Sequence, residues 1–159
     1  MTDPQKLIAH FQRTHWIIKE QTKGLTHADT LLTLPFRANT MNWILGHIAD
    51  GRNGILKTLG ELPALDEAQA SRYERDSEPV ASAEGAVPLE TLLTAIDESQ
   101  TRIVTALEKA TMADLDAIYN EKHQFSVGDR LAFLHWHETY HVGQLEILRQ
   151  LAGTDDKII

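Results

Sequence analysis

Four stretches of this chain repeat apolar residues at the three- and four-residue spacing of an α-helix, and that pattern leaves room for little else. Leu7, Ile8, Phe11, His15 and Ile18 share one face of a first helix. It opens at Asp3-Pro4, a capping side chain followed by a first-turn proline, and ends at Gly24. A second helix runs from near Thr40 to Gly60, with Met41, Ile44, Ile48, Ile55 and Leu59 on its stripe. A third begins at Pro88 and turns Leu89, Leu92, Leu93, Ile96, Ile103, Val104 and Leu107 inward. The fourth opens on Ser126-Val127-Gly128-Asp129, a capping-box start, and runs to about Leu151 with Gly153 as its stop. Between them, residues 61–87 hold Pro63, Pro79 and Gly85 among acidic and small residues, which predicts a long connection with one short helix around 66–73. Residues 111–125, with Tyr119, His123 and Phe125, form a shorter excursion. The expected fold is all-α, one domain over residues 1–159: a four-helix bundle with a long crossover between helices 2 and 3.

Composition narrows the function. A formal charge of −8 without a Lys/Arg cluster argues against a nucleic-acid partner. The absence of cysteine excludes disulfides, thiolate metal ligands and a cysteine nucleophile together. The opening Met1-Thr2-Asp3-Pro4-Gln5-Lys6 lacks the apolar core of a signal peptide, and no run is long enough to span a bilayer. The expectation is a cytoplasmic protein with no membrane partner.

Chemistry concentrates near the C-terminal end, in His137-Glu138-Thr139-Tyr140-His141-Val142-Gly143-Gln144. Histidines four positions apart lie about 40° apart around a helix, so both imidazoles leave one face and can serve one metal ion. Of the eight histidines, six compete to be the third ligand. His135 falls on the polar side of helix four and reads as solvated, His27 and His123 fall in connections, and His10 lies off the first stripe. His15 sits within that stripe and reads as a hydrogen-bonded core residue. His47 sits at the edge of the second stripe beside Gly51 and Gly54, helix-interior glycines that leave room for a metal, a ligand or a close helix crossing. His47 is the preferred third ligand.

The segments Asn42-Trp43-Ile44-Leu45-Gly46-His47-Ile48-Ala49-Asp50 and His137-x3-His141-x-Gly143-Gln144 resemble the DinB-like (DinB/YfiT) superfamily. The resemblance extends over most of the chain, including the crossover stretch Arg72-Tyr73-Glu74-Arg75. It implies a four-helix bundle holding a metal on three histidines, one from helix two and two from helix four. On this chain these are His47, His137 and His141. Some relatives look like thiol-dependent S-transferases or isomerases that use bacillithiol, mycothiol or glutathione. Three imidazoles leave an open coordination position, the arrangement of catalytic rather than structural metal sites. Zinc is the default ion and nickel the next, since nitrogen ligands suit several metals.

Three functions therefore stand side by side: a metal-dependent thiol S-transferase acting on a small-molecule substrate, a metal-dependent hydrolase, and a non-catalytic metal-binding or stress-responsive dimer. For the hydrolase, His137-Glu138-x-x-His141 matches a metalloprotease pattern in which Glu138 would be the base, although Gln144 and Ile147 stand where its extended form needs Gly and His. Gln144 is the other candidate for handling a water or orienting a ligand. Gly143 reads as a site of close helix packing. Ser99 and Gln100 interrupt the third stripe and would face the same cavity. Tyr73 and Arg75 either lie over the site and bind an anionic cofactor or substrate, or belong to an exposed loop. On helix four, Phe133, Trp136, Tyr140 and Ile147 form a second apolar strip outside the core-facing arc, which predicts an isologous homodimer.

Overall fold

A computed structural model describes residues 3–154 and 156–158; Met1 and Thr2, which begin the segment read for a signal peptide, lie outside the described residues. Four long helices form the body: α1 (Pro4–Thr22), α2 (Met41–Thr58), α4 (Leu89–Lys109) and α6 (Val127–Leu151), with short α3 (Glu67–Ala70) and α5 (Met112–Asp116) in the connections. Their ends follow the local chemistry. The Asp3 carboxylate accepts from Gln5 N ahead of Pro4, and the Thr40 hydroxyl accepts from Trp43 N. Ser126 and Asp129 close a reciprocal capping box. Gly24, Gly60 and Gly153 lie just past the ends of α1, α2 and α6 at φ 78°, 79° and 85°, a conformation that a side chain resists.

The helices stand in a square in which α4 and α6 each pack against both α1 and α2, so α1 and α2 face each other across a diagonal. Pairs along the chain give the directions. Thr14 meets Glu138 and the Gln21 carbonyl meets Arg149, so α1 and α6 are parallel. Asn42 meets Val87, just before α4, and Arg52 meets Ile96 and Gln100, so α2 and α4 are parallel as well. This explains the length of the crossover: a parallel neighbour requires the chain to travel back along the whole bundle before it re-enters.

The crossover does so along the flank of α2. Asn53 holds it there, its side-chain oxygen accepting from Ala64 N and Leu65 N while its amide donates to the Leu65 carbonyl. The short helix expected around 66–73 is α3 followed by one 3-10 turn, Ser71–Tyr73. Residues 111–125 carry more structure than a bare connection. Beyond α5, β1 (Ile118–Asn120) pairs antiparallel with β2 (Phe125–Ser126), aligning Ile118 with Ser126 and Asn120 with Phe125.

The core falls into two apolar clusters. One, around Ile44, Leu45, Ile48, Leu92, Ile96, Leu145 and Leu148, fills one end of the bundle. The other, around Phe11, Ile55, Leu56, Ile103, Leu131 and Leu134, fills the opposite end. His15 is not part of either, contrary to its place in the first stripe. It sits part-exposed at the α1–α4 seam, with Nε2 2.7 Å from Asp97 Oδ1. Lys19 donates to the other oxygen of that carboxylate. His135 is not simply solvated: it stacks on His10 at 4.9 Å and meets Phe11 edge-on. His27 caps a helix, its Nδ1 accepting from Leu89 N at the start of α4.

Candidate metal centre

His47 on α2 and His137 and His141 on α6 turn their rings to one point. His137 Nε2 lies 3.4 Å from His47 Nε2 and 3.2 Å from His141 Nε2. The three residues form a group whose ligand atoms all lie within 4.8 Å of one another. Two of the rings are held from behind. His47 Nδ1 donates to the Tyr73 carbonyl at 2.6 Å, and His141 Nδ1 donates to Gln144 Oε1 at 2.8 Å. With their protons on Nδ1, both rings present bare Nε2 lone pairs to the shared point, and one proton on His137 Nε2 satisfies only one of them. A tetrahedral cation about 2.0–2.1 Å from each nitrogen sets the nitrogens about 3.3–3.4 Å apart, close to the spacing found. The donor set therefore fits a divalent metal of the zinc type.

Electrostatics agrees with neutral rings at His137 and His141. Burial pushes His141 down to about 4; the hydrogen bond to Gln144 partly opposes this, and the neighbouring His47 and His137 reinforce it. Burial also lowers His137, with His47 adding to the shift and Glu138 working against it. Groups that resist protonation are suited to bind a cation near neutral pH.

The scaffold behind His47 begins at Gly46. A Cβ there would run into the Tyr73 ring, so only glycine lets this aromatic ring lie flat against α2. Tyr73 is fully buried; its hydroxyl donates to Asn42 Oδ1 and accepts from Val87 N. Asn42 Nδ2 in turn donates to the Val87 carbonyl. Burial raises the Tyr73 hydroxyl pKa, so it stays a donor. Trp43 stacks on the His47 ring at 4.7 Å and anchors its own Nε1 on Ser77 Oγ. The crossover thus fixes one metal-facing imidazole through a main-chain oxygen. This corrects both readings of Tyr73: it is neither an exposed loop residue nor a substrate contact. Arg75, by contrast, is exposed and lines the cleft.

The histidines form part of the wall of an open cleft of about 2000 Å³ between α2, α6 and the crossover. Gly51, Gly54 and Gly143 border it, and apart from the adjoining backbone of their own helices nothing lies within 4 Å of a Cβ at any of them. The room expected beside His47 is therefore present at Gly51 and Gly54, whereas Gly143 makes no close helix crossing. Asp50, one turn beyond His47, also lines the cleft; burial raises its pKa, partly offset by His47.

Glu138 does not face the cleft. It is 4% exposed and gripped by the fully buried Arg52, with Nε to Oε2 at 2.9 Å and Nη2 to Oε1 at 2.8 Å. A carboxylate so occupied, about 100° around the helix from His137, is not available as the base of a metalloprotease. Ser99 and Gln100 likewise turn to Arg52, not to the cavity. Arg52 had no role in the sequence reading, and Asn42 and Gly46 entered it only as members of the helix-two segment, with no role of their own. For Arg52 a signal existed: it interrupts the stripe between Ile48 and Ile55, as Glu138 does between Leu134 and Leu145.

Comparison with known proteins identifies the lineage. A sequence profile described as the DinB superfamily matches residues 7–145. The chain belongs to the DinB superfamily. A conserved protein from Enterococcus faecalis, known from a crystal structure, shares the fold with a TM-score of 0.72 at 18% identity. That match covers 97% of this chain and 99% of the other. No curated protein matches the sequence. DinB-superfamily membership and the three-histidine group fit metal binding. Among the described residues, no helix is long and apolar enough to cross a membrane.

Proposed function

We propose that His47, His137 and His141 hold a divalent ion, zinc first and nickel next. The protein would then be a metal-dependent enzyme transferring a small thiol of the bacillithiol, mycothiol or glutathione type onto an electrophilic substrate. The observation that carries this reading is the convergence of three Nε2 atoms at 3.2 and 3.4 Å on the wall of an open cleft. When bound, the ion supplies a Lewis-acidic centre that lowers the pKa of a ligated thiol or water. The chain does the rest. Tyr73 O and Gln144 Oε1 keep two imidazoles oriented, and Trp43 covers one face of His47. With no cysteine in the sequence, the sulfur must come from outside. In the transfer that sulfur bonds to the electrophilic carbon, the leaving group departs with its electron pair, and the thiol proton passes to solvent. The absence of cysteine accords with a reducing cytoplasm.

Elemental analysis of untagged protein tests the site. About one zinc or nickel per chain, lost in His47→Ala and His137→Ala, supports it. Consumption of glutathione or bacillithiol with a chloronitroaromatic electrophile, abolished by chelation, then tests the reaction. Turnover without added thiol would instead favour hydrolysis. A second reading, a non-catalytic metal-binding dimer, draws on the exposed strip of α6, where Phe133, Trp136, Tyr140 and Ile147 are 47%, 62%, 61% and 56% exposed. Metal without turnover, in a protein that melts on chelation, would favour that one.

A further inference from the structure

We propose that Arg52 and Glu138 are positioning residues whose buried pair sets the axial register of α2 against α6, and with it the convergence of the three histidines. The inference rests on the metal-site reading above, and its test separates the two.

The pair is the hub of one polar layer that touches all four long helices. Beyond its two bonds to Glu138, Arg52 donates from Nη1 to the Ile96 carbonyl, Ser99 Oγ and Gln100 Oε1 on α4. Thr14 of α1 donates to Glu138 Oε1. The layer lies between the two apolar clusters of the core. Those clusters are non-directional, since apolar side chains repack over small slips at little cost. A bidentate guanidinium–carboxylate pair has one geometry. A metal site is less tolerant still, with ligand distances confined to about ±0.2 Å.

Sequence distance ties the pair to the histidines. Glu138 follows His137 directly, and Arg52 stands five residues, about 7.5 Å of helix, beyond His47. A pair that locks residue 52 against residue 138 therefore fixes how residue 47 meets residues 137 and 141. Stability alone does not require such a pair, because a buried ion pair is often replaced by apolar side chains with no loss.

The double variant Arg52→Met/Glu138→Leu separates register from stability. It is expected to fold, judged by circular dichroism and a melting temperature at or above that of the parent. It should bind Co2+ at least about tenfold more weakly, with loss of the intense visible absorption of tetrahedral Co2+. A readout independent of metal comes from spin labels at Lys57→Cys and Glu146→Cys, exposed positions on α2 and α6 in a chain with no other cysteine. The parent should give one narrow interlabel distance, and the double variant a broadened or shifted one. An unchanged distance distribution overturns the proposal, as does a folded double variant with unaltered Co2+ affinity and spectrum. Broadened distances in a protein whose parent binds no metal would retain the register role and refute only the metal site. If the double variant does not fold, Arg52→Lys, which keeps the charge and loses the fork, carries the same two measurements: a broadened distance with weakened Co2+ binding supports the proposal, and no change in either overturns it.

Discussion

Gln144 and Tyr73 act on the site from behind it, and their contributions are separable at the level of single atoms. Gln144→Ala removes the acceptor of His141 Nδ1–H and should weaken metal binding about 10–100-fold, read by competition with a chromophoric chelator. Tyr73 contributes a main-chain oxygen, so no side-chain change deletes it. Gly46→Ala reaches it indirectly, by pushing the Tyr73 ring off α2, and should cost about 1–3 kcal/mol in urea denaturation along with a loosened His47. Protonation gives a third test. His141 has a folded pKa depressed from 6.5 to about 4, so the unfolded chain takes up the proton first as pH falls. The metal-free protein should keep this contribution to stability above pH 6.5 and lose it progressively from there towards pH 4. Denaturation midpoints across that range should fall, and His141→Asn should remove part of the slope. The histidine pair was legible because i,i+4 spacing acts within one helix. The carbonyl that orients His47 and the grip of Arg52 on Glu138 were not, because each depends on a contact far along the chain.

At the scale of elements, α2 and α6 carry the three histidines of the candidate site, and the turn after α3 supplies the carbonyl behind His47. Asn53 is the staple between α2 and the crossover, and Asn53→Ala leaves Ala64 N and Leu65 N without their acceptor. The expected result is about 1–3 kcal/mol of lost stability and faster hydrogen exchange at those two amides, with the four long helices retained. Helix limits were readable in the caps: Asp3, Thr40, Ser126 and the three terminal glycines act on their own neighbours. The hairpin of β1 and β2 was not readable. Its five residues are too few for a strand periodicity to register, and its pairing depends on the turn at Gln124, which takes φ 50°.

For the molecule as a whole, the outward strip of α6 carries the prediction. Phe133, Trp136 and Ile147 also line the cleft, so a second copy docked there would cover the rim of the site. Light scattering should return twice the mass of one chain, and Trp136→Glu should return the mass of one. A concentration-independent monomer mass in the parent would remove the dimer. By itself the sequence determined that the chain is a helical bundle, where its long helices begin and end, and that two histidines share a face. These follow from interactions spanning a few residues, which any chain with the same local pattern repeats. Only the tertiary structure decided that α2 and α4 run parallel, that Glu138 turns inward to Arg52 while its neighbour His137 turns to the cleft, and that His47 is aimed by a carbonyl from the crossover. Those outcomes depend on packing between residues distant in sequence, where burial and hydrogen-bond geometry select one arrangement among several that the local pattern allows.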